Sequence, residues 1–211
     1  STRHKPLLLR GARQVGKSSS VRHLAKQFDY FVEINFERKP AYLEIFKGDR
    51  DAKHIVEMIK SITGEPIVPG KTLLFFDEIQ MCQEAISSLR FFWEDMPGLH
   101  VIAAGSLLEF ALSEIPTFGV GRIHSMFMYP MSFDEFLNAL GMFSLQKYKR
   151  EASPEKPLLS ALHEQLVSLF RTYLMVGGMP ESVSTWVDTH SYVECQAVQK
   201  EIAYTYEVDF A

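Results

Sequence analysis

The stretch Leu7-Leu-Leu-Arg-Gly-Ala-Arg-Gln-Val-Gly-Lys-Ser18 opens on an apolar run and closes on a glycine-lysine-serine triplet. From Gly11 it matches G-x-x-x-x-G-K-[ST] without a mismatch. Leu7–Arg10 reads as a buried strand. Ser18–Phe28 carries Val21, Leu24, Ala25 and Phe28 at the i, i+3, i+4, i+7 spacing of one helix face. A phosphate-binding loop needs this strand–loop–helix setting. Glycine at 11 and 16 lets the backbone curl, so that amides within Gly11, Ala12, Arg13, Gln14, Val15, Gly16, Lys17, Ser18 and Ser19 face phosphate oxygens. The helix start adds its partial positive charge. Lys17 is placed for the β- and γ-phosphates and Ser18 for Mg²⁺. Arg13 is read as a support of the loop or a neighbour of phosphate, not as a catalytic group.

A second apolar strand, Leu73-Leu-Phe-Phe-Asp77-Glu78, ends in two carboxylates. Asp77 is expected in the Mg²⁺ shell, because ligands gather at the carboxyl edge of a parallel sheet. Glu78 is expected to take a proton from the water that attacks the terminal phosphate. Alone, such a pair would read as a solvated acidic turn; the loop upstream changes the reading. No Asn-Lys-x-Asp guanine motif is present and no arginine-rich lid is found, which argues against a GTPase and a small-molecule kinase.

Three weaker signals follow downstream. Ala103-Ala-Gly-Ser106 ends a strand, and Ser106 is a candidate sensor of the terminal phosphate or water; capping a helix over Leu107–Leu112 would explain it equally. Gln80 is a lesser candidate near the same pocket. Arg122, before the fifth strand, is suited to stabilising phosphoryl charge in its own subunit or a neighbour's. A surface ion pair is the plainer account of it. In Val176-Gly-Gly-Met-Pro180 the glycines end one helix and Pro180 suits the first turn of the next. Its functional version folds Pro180 over the nucleotide's base or ribose. The histidines show no metal-ligand spacing.

Around these motifs, short apolar runs alternate with helical patterns, which predicts an α/β fold with a parallel sheet. Further strands are expected at Tyr30–Phe36, Thr72–Phe76, His100–Ala104 and Ile123–Phe127, with the third central. A helix over Asp51–Ile62 is expected to bury Ile55, Met58, Ile59 and Ile62. Ser132-Phe-Asp-Glu135 is a capping box. A polar stretch over Gly141–Pro157 marks a boundary, and only helical patterns follow. The chain thus divides into a core over residues 1–145 and a helical lid over 155–211.

Of 211 residues, 46% are hydrophobic and 23% charged, which suits a globular chain with a core. Net charge −4 excludes a strongly basic nucleic-acid clamp, leaving Lys147, Lys149 and Arg150 as a small basic cluster. Two separated cysteines, Cys82 and Cys195, make no disulfide framework and fit a reducing cytoplasm. The longest apolar run, Leu99–Ser113, contains Glu109 and is too short for a membrane span. The chain opens without Met near a core strand and stops inside a helical pattern, so it reads as a piece of a longer protein.

Taken together, Leu7–Ser18, Phe76-Asp-Glu-Ile-Gln80, Ala104-Gly-Ser-Leu-Leu108, Gly121-Arg-Ile123, Pro130-Met-Ser-Phe-Asp-Glu-Phe136 and Gly177-Gly-Met-Pro180 resemble the AAA-type P-loop ATPases of the AAA+/signal-transduction group. The resemblance runs from about Leu7 to the end. It implies ATP as ligand, with adenine rather than guanine, a P-loop NTPase core with sheet order 5-1-4-3-2, and a small helical subdomain. It also implies a further C-terminal domain, nuclease-like in fold, absent from this chain. Ser18 departs from the usual threonine and Met131 from a frequent leucine; either hydroxyl ligates magnesium, and the second swap conserves volume. The expected function is Mg²⁺-dependent ATP binding and slow hydrolysis that moves an attached domain or partner, in a possible homo-oligomer. The alternatives are an ATP/ADP-bound regulatory switch with little turnover and the ATPase part of a DNA-processing protein.

Overall fold

The structure, a computed structural model, describes residues 3–48, 51–106 and 121–209. The chain folds as two compact units, Ser1–Met128 and Tyr129–Ala211.

The first unit is built on five parallel strands: β1 (Leu7–Arg10), β2 (Tyr30–Asn35), β3 (Thr72–Asp77), β4 (His100–Ala104) and β5 (His124–Phe127). Their spatial order is β2-β3-β4-β1-β5, the order 5-1-4-3-2 that the resemblance implied, read from the other edge. Among the described residues three helices accompany them: α1 (Lys17–Ala25), α2 (Ala52–Thr63) and α3 (Gln83–Asp95). Every residue of β3 is buried, the pattern of a central parallel strand covered on both faces. Alternate strand residues feed two cores. Leu8, Ile34, Leu74, Phe76, Val101 and Ala103 join the helices α2 and α3, where Phe36, Phe46, Phe76 and Phe92 meet mostly edge to face. Leu9, Leu73, Phe75, Ile102 and Ala104 pack on Val21 and Ala25 of α1.

The buried stripe of α2 is Ala52, Ile55, Val56 and Ile59. Met58 and Ile62, expected inward, are 38% and 51% exposed. The inward set follows the 52/55/56/59 row, and residues 58 and 62 fall on its flank. Asp51 caps this helix by accepting a bond from the Lys53 amide, and Gly64 ends it in the left-handed region. A 3-10 segment at Pro40–Phe46, which carries no periodic signal in the sequence, buries Tyr42, Ile45 and Phe46.

The second unit holds α4 (Phe133–Ala139), α5 (Phe143–Glu151), α6 (Ser160–Val176), α7 (Pro180–Thr189) and α8 (Tyr192–Asp209). The capping box forms: the Glu135 amide donates to Ser132 Oγ while Glu135 Oε2 accepts from the Ser132 amide at 2.7 Å. The unit begins ahead of the polar stretch 141–157, which itself contains α5. The physical reason is Phe136. It is fully buried with Val176, Val183 and Cys195 of α6, α7 and α8, so α4 belongs by packing to the helices that follow it. Leu137, Leu145 and Leu166 form a second small core. Lys149 and Arg150, part of the basic cluster, pair with Asp134 at 2.8 and 3.5 Å.

No helix among the described residues is long and apolar enough to cross a membrane. Phe136→Ala is expected to cost the helical unit about 3–5 kcal/mol, as large-to-small changes at fully buried aromatics do. The check is its denaturant midpoint, and an unchanged midpoint would remove Phe136 from the core.

Candidate functional site

The carboxyl ends of three adjacent strands, β1, β4 and β3, gather the site. From β1 the chain turns through Gly11–Gly16 into α1. Gly11, Gln14 and Gly16 have φ of 137°, 61° and 97°, so the loop curls through repeated left-handed residues. Gly11 is required for a second reason. A Cβ there would collide with the carbonyl oxygen of Met128, whose amide donates to Arg10 at 2.8 Å as β5 leaves the sheet. Val15 anchors the loop, at 4% exposure. The first helical bond of α1 runs from the Ser20 amide to Gly16 at 2.9 Å. The amides of Lys17, Ser18 and Ser19 are therefore not consumed within the helix, and Gly16 has no side chain to cap them. These donors and the helix dipole suit an anion.

Lys17 is buried, and its Nζ donates to the loop's own carbonyls, Gly11 at 2.9 Å and Ala12 at 2.6 Å. Burial pushes its pKa below the ordinary lysine value, while Glu78 and Asp77 oppose that shift and Arg13 reinforces it. A phosphate group arriving here would give the ammonium a stronger partner than two neutral carbonyls. Arg13 lies 4.0 Å from the Glu37 carboxylate.

Asp77 ends β3 with only 3% of its surface exposed. Ser18 Oγ donates to its Oδ1 at 2.7 Å, and the Glu78 amide reaches the same oxygen at 3.2 Å. Asn35 Nδ2 and Arg22 Nη2 reach Oδ2 at 3.1 and 3.3 Å. Arg22 is itself held by a two-point pair with Glu33, at 2.7 and 3.0 Å, and that hydrogen bonding raises its pKa. A hydroxyl and a carboxylate side by side are the hard oxygen donors magnesium takes, alongside phosphates and waters. Among the described residues no group of three or more His, Cys, Asp or Glu side chains could cage a metal alone. Ser18 and Asp77 thus fit a metal brought in with its phosphates.

Glu78 follows in a left-handed conformation, φ 53°, and Gln80 Nε2 donates to its Oε2 at 2.7 Å. Ser106 is buried two residues past β4. The Gly105 amide donates to Leu9 at 3.4 Å, which carries the β1–β4 pairing up to this edge. The structure therefore brings the loop, Asp77, Glu78 and Ser106 together. The helix for which Ser106 was a candidate cap, Leu107–Leu112, lies outside the described residues.

Arg122 is not brought there. Strand β5 runs parallel to β1 with His124 beside Leu7 and Phe127 beside Arg10. Arg122 precedes that register, so it sits at the opposite edge of the sheet from the loop. The four-residue strand between is roughly 13 Å long, more than an arginine side chain spans. There it pairs with Glu94 at 2.8 Å. Of the two placements the sequence left open, its own subunit's loop or a neighbour's, this position lies away from its own loop.

Pro180 opens α7 in the helical unit, and contacts within that unit account for its turn. The Met131 amide donates to the Gly178 carbonyl at 2.6 Å, and Tyr173 Oη donates to the Met131 carbonyl at 2.8 Å. A Cβ at Gly178 would strike that same Met131 oxygen.

Sequence reasoning missed Arg22, Glu33 and Asn35. Two signals were present: Arg22 lies one helical turn beyond Ser18, and Asn35 ends β2 as Asp77 ends β3, where the two stand in register.

Gly11→Ala is expected to lower the thermal midpoint as well as nucleotide affinity, because the added methyl displaces the Met128 backbone. Scanning fluorimetry checks it; a variant melting with the wild type would show that this close approach constrains nothing.

Comparison with known proteins bears on the same residues. The family model described as "AAA domain" matches residues 3–137. Among solved structures, the chain is similar to the structure of C. elegans PCH-2, with 14% identity over 95% of this chain and a TM-score of 0.49. The match spans 60% of that chain's length. No protein with a curated description matches. With the family model running from the first strand through β5 into α4, the chain belongs to the AAA domain family, and its first unit is an AAA-type P-loop ATPase core.

Proposed function

We propose that this chain binds ATP with Mg²⁺, hydrolyses it slowly, and uses the cycle to move an attached domain or partner. The observation that carries the reading is the convergence of Lys17, Ser18, Asp77, Glu78 and Ser106 on one sheet edge, from three neighbouring strands. Ligands of open α/β sheets bind at that edge.

In this reading Lys17 exchanges the Gly11 and Ala12 carbonyls for phosphate oxygens, and the amides around Gly11–Ser19 hold the rest of the phosphate chain. Ser18 and Asp77 are the residues that hold magnesium. When bound, the ion would neutralise the charge of the phosphates and so ease attack on the terminal phosphorus. Glu78 takes one proton from the attacking water as the water oxygen bonds to the terminal phosphorus. The bond from that phosphorus to the ADP oxygen breaks, and its electron pair leaves with ADP. Ser106 donates to the terminal phosphate or the water.

The distance of Arg122 from its own loop supports slow turnover by an isolated subunit. The role we propose for Arg122 is toward the phosphates of a neighbouring copy in a homo-oligomer. Free, buried Cys82 and Cys195 support a cytoplasmic setting. Net charge −4 gives nucleic acid no support as the partner.

The test is Mg²⁺-dependent ATP turnover per protomer across a wide protein concentration range. Glu78→Gln is expected to reduce turnover about 10²–10⁴-fold with ATP still bound, the usual weight of a positioned general base. Turnover per protomer should rise with concentration, and Arg122→Ala should flatten that rise. Turnover indifferent to Glu78→Gln would overturn the hydrolytic reading.

A further inference from the structure

Gln80 has an arrangement that packing alone does not explain. It sits in the 3-10 turn Ile79–Met81, directly after Glu78. The turn is rigid: Ile79 and Cys82 are buried in the main core of the first unit. The Met81 amide donates to the Glu78 carbonyl at 3.1 Å and the Cys82 amide to the Ile79 carbonyl at 2.9 Å. From this platform the Gln80 amide nitrogen donates to Glu78 Oε2 at 2.7 Å. Its carbonyl oxygen Oε1 is buried, and no described residue supplies it a donor. A buried acceptor left without a donor is costly, so its persistence calls for an explanation.

The two ends of one amide group restrict where such a donor would stand. With its nitrogen bonded to Glu78 Oε2, the Gln80 carbonyl lies within two hydrogen-bond lengths of the Glu78 carboxylate. One water molecule, with two O–H groups at a tetrahedral angle, spans that separation. We propose that Gln80 is a further catalytic residue of the hydrolytic site. It fixes the Glu78 carboxylate through Nε2 and accepts the second O–H of the attacking water through Oε1.

The division of protons follows. The O–H aimed at the Glu78 carboxylate gives up its proton as the oxygen–phosphorus bond forms. The O–H aimed at Gln80 keeps its proton, which leaves with the inorganic phosphate. With both O–H groups directed, the water's lone pair is left for the terminal phosphorus, and the rotational freedom of the nucleophile is removed before reaction. Glutamine suits the role better than glutamate, because only the amide supplies a donor to Glu78 and an acceptor to the water at once.

The inference rests on the hydrolytic reading above, and the experiment separates the two. Gln80→Leu keeps the volume and removes both polar ends. Three quantities are measured for it and for the wild type: ATP turnover, ADP affinity, and retention of ADP with aluminium fluoride, whose planar group mimics the phosphoryl group under attack by an in-line water. Gln80→Leu is expected to lose about 10–100-fold in turnover, the scale on which a misdirected nucleophile is felt. It should release ADP–aluminium fluoride at least tenfold faster, with ADP affinity within about twofold of wild type. Gln80→Asn, which keeps the amide on a shorter arm, should recover part of the turnover. Wild-type turnover and retention in Gln80→Leu would overturn the proposal. So would a parallel loss of ADP affinity, which marks a merely structural residue. A wild-type protein that neither turns over nor retains the analogue would overturn both the hydrolytic reading and the role of Gln80.

Discussion

A carboxylate buried to 3% exposure, that of Asp77, holds the site together. A carboxylate so placed must be paired and hydrogen-bonded. Its partners come from three elements: Ser18 and Arg22 from α1, Asn35 from β2, and the Glu78 amide from its own strand's exit. One side chain thereby fixes how the phosphate-loop helix, the second strand and the acidic pair stand to each other. Arg22 is the counter-charge, kept in place by Glu33. In the proposed reading, Asp77 would exchange part of this set, the Ser18 bond first, for magnesium brought in with the phosphates.

The loop follows the same logic. Lys17 turns back on the Gly11 and Ala12 carbonyls, so its ammonium is satisfied without a ligand. Gly11 answers two constraints. It takes a backbone angle that a side chain resists, and it makes room for the Met128 carbonyl. A residue that would be assigned to phosphate binding from its motif is thus also a contact between β1 and the end of β5. Gly178 makes the corresponding close approach to Met131 in the helical unit, which ties two separated sequence motifs into one packing contact.

How much of this is legible in the residues depends on the range of the signal. The five strands, the phosphate loop and the Asp77–Glu78 pair are local patterns, and each is readable to within a residue or two. The sheet order comes from resemblance rather than from periodicity, because hydrophobic alternation says nothing of which strands are neighbours. Met58 and Ile62 mislead because an apolar side chain on a helix flank looks, in one dimension, like one on the buried stripe. The helix Phe143–Glu151 is hidden by its polarity. The distance of Arg122 from its own loop has a topological reason: a residue just before a parallel strand stands at the opposite edge from a residue just after its neighbour. Arg22 and Asn35 escape notice because their partner lies far away in the chain and only the sheet brings them to it.

The proposed function requires Asp77 to exchange protein partners for a nucleotide-bound metal. The direct measurement is calorimetric titration of ATP, with magnesium and with a chelator, into the wild type and Asp77→Asn. Magnesium is expected to strengthen ATP binding to the wild type at least tenfold. Asp77→Asn is expected to abolish most of this gain while metal-free ATP binds both proteins alike. A magnesium gain of the same size in both proteins would contradict that exchange.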